Sequence, residues 1–347
     1  MKSEDPERMT LSALFRDHFG HEEHLYGWLL NRFADDLDAG GPIAEICRDH
    51  LDASRADAVQ LRLLAALHRI VLRGDAPELE RFYPNLGGDD AYATAWPLFE
   101  KVIAAHVDEF RAGLEVAPQT NEVGRSACLL IGIFEAVRRT GLHRIRLLEP
   151  GASAGLNLLV DRYHFYGEDW AYGPKDSPLT IDTQSAGVRP VPFEVVARRG
   201  CDLAPVDVST AAGREYLTSF VWPHQVDRHA RLAGALQAAA GDPPVVDVGS
   251  ADTWLKEQLT QPTDADVLTI VWQSITEQYW PIEVRTGVRA AVADARGRLP
   301  IAHVSMEGVP PAQTASGWDI RADGPALSLD GDELARSTHH GPPLILA

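Results

Sequence analysis

Cysteine is scarce in this chain. Three residues, Cys47, Cys128 and Cys201, stand singly among 347. They form no C-x-x-C pair, which excludes a disulfide framework and points to a reducing compartment. Basic runs are missing as well. The 32 Lys+Arg face 50 Asp+Glu for a net charge of −18, a field that repels phosphate backbones and argues against a nucleic-acid partner. No apolar run reaches the roughly 20 residues of a membrane span. The opening "MKSEDPERMT" is polar and acidic, unlike a signal peptide. No H-x-x-x-H or C-x-x-C spacing marks a metal site. Together these absences predict a soluble cytoplasmic protein that acts on a small molecule, without membrane, nucleic acid or metal.

What is present belongs to an ordinary globular chain: 45% hydrophobic and 24% charged residues. The length allows one large or two medium domains. From about residue 10 to 140 the periodicity is helical. "SALFRDHFGHEEHLYGWLLNRFADDL" sets Leu14, Phe15, Phe19, Leu25, Trp28, Leu29 and Phe33 near helical spacing. "AVQLRLLAALHRIVLRG" stops at Gly74, "AWPLFEKVIAAHVDEFRAGL" follows, and "NEVGRSACLLIGIFEAVRRTG" ends on basic residues and Gly141. No strand is expected before residue 141, where the domain boundary is placed.

The texture then changes to strands alternating with helices, which predicts a mostly parallel sheet with antiparallel strands at its end. The expected strands are "HRIRLLEPG", the start of "PFEVVARRGCDLAPVDV", "PPVVDVGSAD", "ADVLTIVWQSIT", "LPIAHVSMEG" and "PPLILA". Helices are expected in "SAGLNLLVDRYHFY", "WPHQVDRHARLAGALQAAAG", "TWLKEQL" and "WPIEVRTGVRAAVADARG", and a hairpin in "GWDIRADGPALSLDG". Residues 166–192, rich in Gly, Pro, Asp and Ser, read as an insertion with irregular or short β structure.

The chemistry centres on "LLEPGASAGLNLL". Gly151-Ala152-Ser153-Ala154-Gly155 matches G-x-S-x-G, the turn that presents a hydrolase nucleophile. Such an enzyme needs oxyanion donors from a loop after an earlier strand, and none is expected upstream. A trio of Ser153, Asp319 and His339 is easily assembled by chance among 13 histidines and many acids. A dinucleotide fingerprint fits poorly, with Ser153 and Leu156 at its second and third glycine positions. The pattern from Glu149 to Gly155 instead resembles motif I of S-adenosylmethionine-dependent methyltransferases, with serine at the middle glycine.

Several further segments carry a second resemblance: "LRLLAALHRIVLRGDAPEL", "FYPNLGG", "QTNEVGRSACLL", "LLEPGASAGLNLLVDRY", "GCDLAPVDV", "WPHQVDRHARL" and "IAHVSMEG". With these the chain resembles, over nearly its full length, an actinobacterial domain-of-unknown-function family numbered 2332. The resemblance implies an all-helical N-terminal part, residues 1–140, acting as a lid. It further implies a Rossmann-like, methyltransferase-type α/β domain over residues 141–347. The chain departs from the family pattern at Gln273, where histidine is common, and at Ser250, where G-D-A is usual.

The methyltransferase resemblance nominates Glu149, Gly151, Ser153, Gly155 and Asn157 around the cofactor's amino-acid portion. Asp202 would bind ribose hydroxyls, and Ser250 or Asp252 the adenine. Asp252 serves equally as a helix cap. In "QTNEVGRS", Thr120 or Asn121 can cap a helix and Glu122 is a favourable first-turn acid, which leaves Gln119 and Arg125. Arg125 is assigned to a substrate carboxylate, and Glu122 stands with it in the catalytic set. Ligands of α/β sheets lie beyond the carboxyl ends of strands, which adds Gln273, Ser274, Glu277, Tyr279, Met306 and Glu307. Glu277 or Glu307 is a candidate general base. Trp272 and Trp280 read as core or wall, and His164, after Tyr163, as a structural histidine. Three functions follow: a methyltransferase-like enzyme for a small molecule, a non-catalytic binding or assembly protein on the same fold, and a serine hydrolase using Ser153.

Overall fold

The computed structural model describes residues 9–17, 23–308 and 319–347. The described chain divides into two compact units: residues 1–120 with 215–229, and residues 121–214 with 230–347. No helix among the described residues is long and apolar enough to cross a membrane.

The first unit contains no strand among its described residues. Its helices are α1 (Leu11–Asp17), α2 (Leu25–Ala39), α3 (Pro42–Ile46), α4 (Val59–Leu72), α5 (Pro77–Glu80), α6 (Trp96–Ala105) and α7 (Val107–Leu114). Phe19, expected on the first helix, lies outside the described residues. The apolar faces converge on one core that includes Phe15, Leu29, Phe33, Leu63, Leu67, Phe99 and Phe110. The third expected helix is two, broken at His106, whose carbonyl accepts from Glu109 and Phe110 N–H and so starts α7 afresh. α4 ends as its sequence predicts, two residues before Gly74 in the left-handed region at φ +77°.

The second unit is a mixed α/β structure with a largely parallel eight-stranded sheet. α8 (Ser126–Thr140) opens it, followed by β1 (Arg144–Pro150) and the short strands β2 (His164–Tyr166), β3 (Ala171–Tyr172) and β4 (Thr180–Asp182). Then come β5 (Glu194–Asp202), α9 (Ala211–Ser219) and α10 (Val226–Ala239), of which residues 215–219 and 226–229 belong to the first unit, followed by β6 (Val246–Val248), α11 (Ala251–Thr260) and β7 (Val267–Ser274). The chain closes with α12 (Ile282–Ala295), β8 (Ile301–Glu307), α13 (Ile320–Asp323), β9 (Ala326–Leu329), β10 (Asp332–Thr338) and β11 (Gly341–Leu346). The order in the large sheet is β11-β10-β9-β8-β7-β1-β5-β6. β6, β5, β1, β7 and β8 run parallel, and β9, β10 and β11 return antiparallel. β7 is buried along its whole length, as a central parallel strand covered on both faces must be.

α11 and α12 cover one face, where Leu148, Cys201, Trp254, Leu255, Val271, Val288 and Val292 form a core. α8 approaches the other face so closely that a Cβ on Gly132 would lie 2.3 Å from Val304 Cγ1. That contact explains why residues 121–140 fold with the sheet, although the sequence boundary was expected near 141. The insertion forms a small sheet of order β3-β2-β4. The expected tail hairpin is shifted: residues 320–323 are helical, and the hairpin joins β9 to β10 at Asp330-Gly331.

The helix expected after Gly155 is another correction. Residues 156–162 form a 3₁₀ segment kinked at Leu159. Side chains claim the carbonyls that would have closed its α turns. The Tyr163 hydroxyl donates to Leu156 O at 2.6 Å, and Arg198 Nη1 donates to Leu158 O at 2.8 Å.

Candidate functional site at the carboxyl end of β1

Strand order reverses between β1 and β7, the position where open α/β sheets bind ligands beyond their strand ends. The turn there alternates left-handed residues: Gly151 at φ +76°, Ser153 at +55° and Gly155 at +73°. Its donors are held within the protein. Gly151 and Ala152 N–H both donate to Cys201 O at 2.8 and 2.9 Å. Ser153 N–H donates to Asp202 Oδ2 at 2.9 Å, and Leu156 N–H to Asn121 Oδ1 at 2.9 Å. The glycines are required by close packing as well as by backbone conformation. A Cβ on Gly151 would lie 2.5 Å from Thr276 Oγ1, and one on Gly155 would lie 2.8 Å from Val246 Cγ2.

Glu149 is 3% exposed. Asn157 Nδ2 donates to its Oε1 at 3.4 Å. Asn157 Oδ1 and Ser153 Oγ are buried without a hydrogen-bond partner, and Glu149 Oε2 and Trp272 Nε1 are near enough for the indole N–H to favour the carboxylate but form no regular hydrogen bond. Burial pushes the Glu149 carboxyl up to about 8, a rise that Asn157, Trp272 and the Arg125 charge only partly oppose. The β1–β7 register pairs Leu147 with Ile270, so two residues further on Glu149 and Trp272 share a face. Unpaired buried polar atoms are rare in folded proteins and call for an explanation.

A second cluster lies on the opposite sheet face, one residue along β7. Gln273 is fully buried. Its Nε2 donates to Glu277 Oε1 at 3.1 Å and Glu307 Oε1 at 3.3 Å, while its Oε1 lies 3.0 Å from His303 Nε2. Thr276 and Glu277 N–H also donate to Glu307 Oε1, at 3.2 and 3.4 Å. Burial and the neighbouring Glu277 charge raise Glu307 to about 7, against the effect of those donors. Arg289 holds the other Glu277 oxygen at 2.8 Å. Thr276 links the clusters, since it touches the Gly151 turn and donates to Glu307.

Other nominated residues have different work. Arg125, assigned to a substrate carboxylate, donates Nε to His339 O at 2.9 Å and Nη1 to Ser274 O at 3.3 Å. It ties β7 to the β10–β11 turn. Glu122 is 5% exposed and accepts from Gly124 N–H, with His340 Nδ1 at 3.3 Å and Arg231 Nε at 3.8 Å. Asp202 uses its two oxygens on Ser153 and Ala204 N–H. Ser250 precedes α11 and its hydroxyl donates to Asp252, which accounts for the lowered Asp252 carboxyl. Asp252 also packs under Gly287 of α12. These contacts fit a first-turn acid. Met306 is core and Tyr279 is exposed. Ser153 has the positive φ of a nucleophile turn, but its Oγ bonds no histidine among the described residues. Sequence reasoning missed Trp272 and His303 as members of the clusters. Period-2 alternation from Glu149 and Gln273 was the available signal.

The second unit is thus an α/β protein with an acid and a glycine turn at the carboxyl end of the first strand of its large sheet. The chain belongs to a family described as uncharacterized proteins conserved in bacteria, DUF2332, whose model matches residues 16–345. Comparison with curated proteins and with solved structures gave no match.

Proposed function

We propose that the second unit is a Rossmann-like, methyltransferase-type domain that binds S-adenosylmethionine and methylates a small molecule. The observation that carries the reading is the set of unpartnered acceptors at the end of β1: Glu149 Oε2, Asn157 Oδ1 and Ser153 Oγ. Three acceptors match the three N–H bonds of an α-ammonium group, whose positive charge would draw the proton off the raised Glu149 carboxyl on binding. Strand order supports it: β6-β5-β1-β7-β8 is third-second-first-fourth-fifth among the parallel strands, the dinucleotide-fold order. Asp202, at the end of β5, is the carboxylate we assign to the sugar hydroxyls, alongside the bonds it accepts from Ser153 and Ala204 N–H. Bound S-adenosylmethionine supplies an activated methyl group. Glu307, anchored through one oxygen by three donors, is suited to take a proton from the acceptor near neutral pH.

A second reading, a non-catalytic binding protein, is favoured by one observation: the turn's N–H groups at Gly151, Ala152, Ser153 and Leu156 are satisfied by the protein itself. Calorimetry and thermal shift with S-adenosylmethionine and S-adenosylhomocysteine test the cofactor. Stabilisation growing with ligand concentration is expected, and Glu149→Ala should abolish it. A folded protein that shows no shift with either ligand at millimolar concentration refutes the proposal.

A further inference from the structure

The register of β7 against β8 pairs Gln273 with Ser305. Side chains two apart on a strand share a face, so His303 and Glu307 stand on the face of Gln273, one to either side of it. A carboxamide in that position meets a histidine at one end and a carboxylate at the other. Gln273 Oε1 lies 3.0 Å from His303 Nε2, and its Nε2 donates to Glu307 Oε1 at 3.3 Å and Glu277 Oε1 at 3.1 Å.

These contacts fix the proton on the histidine. Two carboxylate oxygens face one end of Gln273, so that end is the NH2 group and the other end is the carbonyl oxygen. An oxygen 3.0 Å from His303 Nε2 requires a proton on that nitrogen, because two acceptors at this distance repel. Burial holds the imidazole below its ordinary range, against the charges of Asp330 and Glu277 and with those of Arg296 and Arg289. The ring is therefore neutral and carries Nε2–H. Its strand position is pinned as well. His303 N–H donates to Asp330 Oδ1 at 2.9 Å, its carbonyl accepts from Asp330 N–H at 2.8 Å, and Arg296 pairs with Asp330.

We propose that His303 is a positioning residue for Glu307: by donating to Gln273 Oε1 it keeps the carboxamide from turning over, so that Glu307 always meets N–H donors. The assignment rests on the reading of Glu307 as the base that takes the acceptor's proton. A carboxamide free to rotate about its last bond has a second orientation, with its oxygen toward Glu307. An ionised Glu307 rejects that orientation. A protonated one favours it, because its O–H then finds an acceptor, and the base is weakened. His303 closes this route, since the turned amide would set its NH2 group against the imidazole N–H with both left unpaired.

Nuclear magnetic resonance tests both parts without cofactor or acceptor, so this experiment and the ligand calorimetry fail independently. In the wild-type chain, proton–nitrogen correlations of the imidazole should place the His303 proton on Nε2, and a proton on Nδ1 overturns the proposal. The Glu307 carboxyl carbon should titrate at about 7. In His303→Phe its midpoint should rise by about one pH unit, the worth of one hydrogen bond to a charged group. His303→Gln, which offers an N–H at similar reach, should restore the wild-type midpoint. The imidazole is uncharged, so loss of a nearby charge does not produce this pattern. An unmoved midpoint in His303→Phe overturns the proposal, as does a rise in His303→Gln. If His303→Phe fails to fold, the wild-type tautomer and the His303→Gln midpoint decide. A wild-type midpoint near 4.5 refutes Glu307 as the base, and the positioning role with it.

Discussion

Glu149→Gln removes a titrating proton and little else, because the side chains are isosteric. A buried carboxyl raised from 4.5 to about 8 holds its proton in the folded state across a window where the unfolded chain has released it. The folded state then binds more protons, so stability falls as pH rises from about 4.5 to about 8. At about 1.4 kcal/mol per pH unit this window corresponds to about 5 kcal/mol. The glutamine variant lacks that loss. Urea unfolding of both proteins between pH 5 and 9, followed by tryptophan fluorescence and circular dichroism, isolates the effect as a difference. The variant should match the wild type near pH 5. It should then gain on it by about 1.4 kcal/mol per pH unit, and the difference should level off above pH 8. A difference that stays constant over this range refutes the reasoning, for it would mean that Glu149 is already ionised in the folded protein at neutral pH.

Three further outcomes follow from the geometry. Glu307 should titrate near 7 by carboxyl carbon chemical shift, and Gln273→Leu should move the midpoint higher by removing an amide that favours the charged form. Gly132→Ala should destabilise the second unit by about 1–3 kcal/mol in chemical denaturation, because its Cβ would overlap Val304 Cγ1. Combining it with Val304→Ala should cost less than the sum of the single changes. In the first unit, His68 is depressed from 6.5 to about 3, so its stabilising neutral form is favoured above 6.5 and stability is lost as pH falls below that value. His68→Gln should flatten the acid limb of a pH–stability curve, and an unchanged limb would assign the loss to other groups.

Much of the architecture was legible because it rests on local chemistry. Gly74 and Gly141 closed their helices, and the apolar run ending in Ser274 became the buried central strand. Where expectation failed, a distant partner decided. Nothing in "LNLLVDR" announces that Tyr163 and Arg198 will take its carbonyls and hold it in a 3₁₀ form. Likewise, Arg125 was readable as a cation near the turn, but not as a donor to the carbonyls of His339 and Ser274, both far along the chain. Glu149 was found from its motif. Its burial beside Trp272 could be reached only through the register of β1 against β7.

The outer strands of the large sheet bear on how the protein behaves when concentrated. A free strand edge is a template for pairing with another molecule. On one flank β6 is only three residues long. On the other, β11 begins Gly341-Pro342-Pro343, which withholds two N–H groups, and the next one, on Leu344, is taken by Thr183 O at 3.1 Å. The loop that follows β4 therefore acts as a bumper along the β11 flank. Shortening the 166–192 insertion would uncover that edge and leave the Leu344 N–H open to a strand from another molecule.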